Sequence, residues 1–118
     1  MSQEQAERSR EIVRRYLTEA MFGGSERALH ETVSDPELSE RAWLFWAAFS
    51  ARTIEKIDVL FANADGSQVA CHLTGSAVQD GPWIMSADAE PGAPATLDCI
   101  GTYVISAARI SAFHETWR

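Results

Sequence analysis

The sequence predicts an α+β domain in which N-terminal helices pack on one face of a bent antiparallel β-sheet. Up to Ala51 apolar residues recur at helical spacing, and from Thr53 the period drops to two. The chain has 118 residues, enough for one hydrophobic core and too few for two. Helices first and strands after, around one core, place the helices over one face of the sheet. A sheet curved around an aromatic helix encloses a pocket.

The first helix is expected over residues 3–22. Ile12, Val13, Tyr16, Leu17, Ala20 and Met21 form one apolar stripe, with Glu7, Arg8, Arg14 and Arg15 mostly on the wet side. Gly23 and Gly24 stop it, because glycine accepts the left-handed conformation that ends helices. Ser25 caps a short second helix burying Ala28, Leu29 and Val33. Asp35-Pro36-Glu37 opens a third, with a capping side chain, proline in the first turn and acid at the positive helix end. That helix carries Leu38, Ala42, Phe45, Trp46 and Phe49 on one face, with Trp43 beside them.

Residues 54–61 read as a strand, and residues 63–67 as a turn with Asp-Gly chemistry. In the next strand, residues 68–78, Val69, Cys71 and Leu73 share one face and His72 and Thr74 the other. Residues 79–94 form a long connection holding Trp83, Ile84 and Met85. Residues 96–106 and 110–117 close the sheet as a hairpin through residues 107–109.

Composition excludes several classes of function. A formal net charge of −7 and a pI near 4.8 argue against nucleic acid and anionic membrane as partners. The apolar stretch at residues 42–48 is too short to span a bilayer. The charged N-terminus lacks the apolar segment of a secretory signal, and a cytoplasmic protein is expected. Cys71 and Cys99 lie in no redox or zinc spacing and are expected to be buried, reduced thiols. No histidine pair has metal-ligand spacing with a carboxylate, and no phosphate loop, dinucleotide fingerprint or nucleophile elbow is present. Neither metal nor cofactor is therefore expected.

The element order, with Val13-Arg14-Arg15-Tyr16, Asp35-Pro36, Leu73-Thr74-Gly75-Ser76 and the ending Ile110…Glu115-Thr116-Trp117, resembles the SnoaL-like polyketide cyclases. These belong to the nuclear transport factor 2-like group, together with ketosteroid isomerase and scytalone dehydratase. The resemblance spans nearly the whole chain and implies a cone, three helices in the concavity of a bent antiparallel sheet with a pocket between. It also exposes two departures. Gly101 stands where the penultimate strand of these enzymes carries an acid, and Ala77 stands where the cyclases tend to have histidine.

Within that frame Tyr16 occupies the place of the phenol that ketosteroid isomerases direct at a developing oxyanion, although a core tyrosine bonded to a backbone carbonyl fits equally. Asp35 precedes proline as the isomerases' general base does, and it is also a well-formed helix cap. His114 alternates with Ile110 and Ala112. If Ile110 packs inward, His114 faces the pocket, where it would move protons near neutral pH and replace the acid missing at Gly101. The competing reading turns it outward beside Glu115. Trp43, Trp46, Phe49, Trp83 and Tyr103 are the candidate ligand-binding set, with Trp46 and Phe49 also readable as core and Trp83 as a lid.

The functional expectation is a cofactor-free cyclase or isomerase acting on a polyketide-like or polycyclic carbonyl compound, with Tyr16, His114 and Asp35 as catalytic residues. The alternative is a non-catalytic module of the same fold that binds a small apolar ligand or a protein. A homodimer through the outer sheet face, near His72 and Thr74, is expected because the helices cover only one side.

Overall fold

The computed structural model describes residues 2–83 and 90–118, so Ile84 and Met85 lie outside the described residues. Helix α1 (Ser2–Arg15) runs unbroken into a π-helical segment, Tyr16–Met21, and the combined rod buries Val13, Tyr16, Leu17, Ala20 and Met21. Gly24, at φ +74°, turns the chain out of it. Helix α2 (Glu26–Thr32) is capped by Ser25, whose side chain accepts from the Ala28 N–H. Helix α3 (Pro36–Ala48) is capped by Asp35, which accepts from the Glu37 N–H at 3.0 Å.

Four strands follow, β1 (Phe49–Ala62), β2 (Gln68–Gln79), β3 (Ala93–Ser106) and β4 (Arg109–Trp117). They form one antiparallel sheet in the order β1-β2-β3-β4, the α+β arrangement expected from the sequence. Strand β1 begins at Phe49 directly from α3, earlier than the change of period at Thr53, and β3 begins at Ala93 rather than Thr96. No helix among the described residues is long and apolar enough to cross a membrane.

The inner face of β2 and β3 presents Val69, Cys71, Leu73, Leu97, Cys99 and Tyr103 to α1 and α3, and both cysteines are free and buried. The outer face carries His72, which lies 2.7 Å from both Asp58 and Asp98, with exposed Val59, Phe61, Ile100 and Val104 around it.

Strand β4 departs from simple alternation. Ile105 pairs with Ile110 and Val104 with Ala112, leaving Ser111 as an extra residue in a β-bulge. Ile110 is fully buried, but beyond the bulge the inward set is Phe113, Glu115 and Trp117. A bulge of one residue exchanges the two faces of everything after it.

Candidate active site

Each group of the interior cluster has a structural cause. Tyr16 opens the π-helical segment and is wholly buried. Tyr103 stands on the inner face of β3 at 1% exposure, its ring edge-on to Tyr16 with centroids 5.6 Å apart. Glu115, brought inward by the bulge at Ser111, has a side chain with no exposed surface. Its Oε2 accepts from the Tyr16 hydroxyl at 2.9 Å and from the Tyr103 hydroxyl at 2.7 Å. Its Oε1 accepts from Trp117 Nε1 at 3.3 Å and lies 3.9 Å from Arg41 Nη1. A buried carboxylate needs such partners, because the water that would have solvated it is gone.

Burial holds both phenols well above the ordinary tyrosine range, and the nearby Glu115 charge adds to the effect. They remain neutral O–H donors at any physiological pH. The Cys71 thiol lies 3.8 Å from the Tyr103 oxygen, and burial raises it to about 11. Cys99 is raised as well, again chiefly by burial. Neither thiol is a poised nucleophile. Among the described residues no group of His, Cys, Asp and Glu side chains is arranged to hold a metal ion.

The structure brings Tyr16 and Tyr103 together as the sequence suggests, but it rearranges the rest of the expected set. His114 is exposed on the outer face, because the bulge at Ser111 breaks the alternation that linked it to Ile110. Asp35 spends its carboxylate on the N-terminus of α3, the capping alternative of its two readings. Trp43 is 51% exposed and packs edge-on to Trp46. Trp46 donates to the carbonyls of Ala20 and Met21, fastening α3 to the π-helical segment. Phe49 is core. Trp83 is also packed as core, 6% exposed against Phe45, Phe49 and Trp117, rather than standing out as a lid.

Glu115, Arg41 and Trp117 are not among the candidate site residues read from the sequence, although the resemblance draws on Glu115 and Trp117. The signal for Glu115 was nonetheless present. Counting back by twos from Trp117 gives Glu115 and Phe113 on one face, and only Ile110 is out of phase. Glu115 is also the direct partner of Gly101 across β3–β4. The acid absent from the penultimate strand is thus presented at the same level by its neighbour.

A cavity of about 280 Å³ lies beside this cluster, lined by Phe49, Gln79, Trp83, Pro94, Leu97 and Trp117 among others. Trp117 lines this cavity and also donates to Glu115 Oε1. A larger open groove of about 1050 Å³ runs over the charged surface of α1 and α2 and includes none of Tyr16, Tyr103 or Glu115.

With this geometry the chain superposes on a SnoaL-like polyketide cyclase from Agrobacterium tumefaciens with a TM-score of 0.69 at 12% identity, over 91% of both chains. The chain has the SnoaL-like fold. A protein from Pseudomonas putida that carries the name of a polyketide cyclase gives 0.76 at 17% identity, over 93% of this chain and 91% of that one. TsrD from Streptomyces laurentii gives 0.72 at 14% identity, over 91% and 85%. No protein-family model and no curated protein matches the sequence. Likeness at these identities speaks for the SnoaL-like architecture, while reaction chemistry rests on the site itself.

Proposed function

We propose that the protein is a cofactor-free cyclase or isomerase acting on a small carbonyl compound, with Glu115 as the proton-transfer group and Tyr16 and Tyr103 as oxyanion donors. The supporting observation is one fully buried carboxylate whose Oε2 is shared by two buried, neutral phenols. In this reading Glu115 removes a proton from the carbon next to a carbonyl. The C–H electron pair moves into the new C–C double bond, and the negative charge goes to the carbonyl oxygen. That oxygen takes over the phenol hydrogen bonds that the carboxylate gives up on protonation. Fixed donors in a dry site stabilise such an oxyanion without reorganisation. Returning the proton to a different carbon gives isomerisation. Attack of the enolate carbon on a second carbonyl of the same molecule, with Glu115 protonating the resulting alkoxide, gives ring closure. The substrate reaches Glu115 past Trp117, whose indole N–H must release Oε1.

The names of the SnoaL-like cyclase from Agrobacterium tumefaciens and of the similar protein from Pseudomonas putida agree with this class of reaction. The second reading, a non-catalytic ligand-binding module, draws on the engagement of both Glu115 oxygens by the protein itself. A panel of cyclic ketones assayed for α-proton exchange in D₂O separates the two. A catalyst exchanges at least one of them, and Tyr16→Phe then lowers kcat with little change in KM. A binding module exchanges none.

We further propose a cytoplasmic homodimer joined through the outer sheet face around His72.

A further inference from the structure

We infer that Arg41 is the positioning residue of this site, the charge that keeps Glu115 an anion inside the fold and leaves its Oε1 open to a substrate proton. The inference rests on the catalytic reading proposed above and adds the residue that readies the base.

The first observation is electrical isolation. The other titratable side chains that bear on Glu115 are Tyr16 from the helical rod, Cys71 from β2, and Cys99 and Tyr103 from β3. Burial keeps all four neutral at physiological pH. Among the described residues Arg41 is the one cation within ion-pair distance of the carboxylate. A buried carboxylate without a counter-charge gives up its own charge by taking a proton.

The second observation is the asymmetry of the two oxygens. Oε2 accepts both phenol hydrogen bonds, at 2.9 and 2.7 Å. Oε1 has the indole N–H at 3.3 Å and Arg41 Nη1 at 3.9 Å, the latter beyond hydrogen-bond reach. Arg41 therefore acts on Oε1 through charge and leaves a lone pair free for an incoming proton.

The third is placement. Glu37 lies one turn before Arg41 on α3, the favourable order for an ion pair along a helix. Arg41 forms no ion pair with it. Its guanidinium carbon instead lies 5.0 Å from the centroid of the Phe113 ring, and only 24% of the side chain is exposed. Phe113 and Glu115 share the inner face of β4, so this stacking holds the cation on the carboxylate's side of the helix.

The test follows α-proton exchange of 1-tetralone in D₂O from about pH 5.5 to 8.5 for the wild type, Arg41→Met and Arg41→Lys. A double-mutant cycle with Glu115→Gln, read by urea denaturation, accompanies it. Arg41→Met should exchange at least about tenfold more slowly than the wild type at the acid end, with KM little changed, and regain rate as the pH rises. Arg41→Lys should recover most of the loss, since a charge acting across 3.9 Å needs no guanidinium fork. In the cycle, Arg41→Met should lower the urea midpoint clearly in the wild type and little in Glu115→Gln, where no buried charge is left to compensate. Slowing by the same factor at every pH, a lysine variant as slow as the methionine one, or additive midpoint losses overturns the inference. Coupling in the cycle with no ketone exchanged upholds Arg41 as the counter-charge and removes the catalytic reading. Exchange by the wild type with an unaltered profile in Arg41→Met does the reverse.

Discussion

Gly101 and Glu115 face each other across the β3–β4 pairing, and the glycine's missing side chain is what lets Tyr103 reach the carboxylate. A Cβ on Gly101 would fall 2.5 Å from the Tyr103 hydroxyl oxygen and 2.8 Å from its Cζ. The phenol therefore lies in the space an acidic side chain at this position would fill. Glu115 supplies the acid from the next strand instead.

Gly101→Ala should consequently push the Tyr103 ring off Glu115 and destabilise the fold by about 1–3 kcal/mol, the usual cost of overpacking a closed interior. Urea denaturation checks this. The double variant Gly101→Ala/Tyr103→Phe should lose less than the sum of the single losses, because both changes act on one contact. Strict additivity would show that the two residues do not compete for the same space.

The interior cluster also fixes the sign of the alkaline response. Burial keeps protons on Tyr16, Tyr103, Cys71 and Cys99 in the folded chain, and Cys71 moves from the usual 9.0 to about 11. The unfolded chain releases these protons first, so it binds fewer of them than the folded chain as the pH climbs past 9. Stability from this source is complete below about pH 9 and is lost as the pH rises through the folded values. Urea midpoints should be level from pH 7 to 8.5 and fall steadily from 9 to 10.5. A midpoint that holds or rises over that interval would contradict the burial of these groups.

The outer sheet face yields a prediction of assembly. Phe61 is 68% exposed and Ile100 43%, on strands that flank His72, so two such faces brought together would bury apolar surface now open to water. Light scattering at micromolar concentration should give twice the chain mass, and Phe61→Asp should return the monomer. A monomer mass for the wild type would dispose of the dimer.

Much of the fold was legible in the sequence because its signals are local. Gly24 and the caps at Ser25 and Asp35 depend on residues within one turn, and the apolar stripe through Val13, Tyr16 and Leu17 survives in the structure as core. The site was only half legible. Tyr16 lies on the apolar stripe of a regular helix, so periodicity puts it in the interior where the structure has it. His114 and Glu115 depend on whether one extra residue is inserted after Ile110, which is decided by pairing with β3 and not by β4's own pattern. Trp83 looked too isolated for a core residue, yet three aromatic rings from α3, β1 and β4 close around it. Contacts of that range leave no mark in local spacing.

In the proposed reaction the inward carboxylate, and not the outward histidine, moves the proton. Deuterium exchange at the α-carbon of 1-tetralone, followed by NMR for the wild type, Glu115→Gln and His114→Ala, tests it most directly. Glu115→Gln should lower the enzyme-dependent exchange rate by roughly 10²–10⁴-fold, the range for a positioned acid or base, while His114→Ala should stay within a few-fold of the wild type. Exchange that persists in Glu115→Gln, or collapses in His114→Ala, would contradict it.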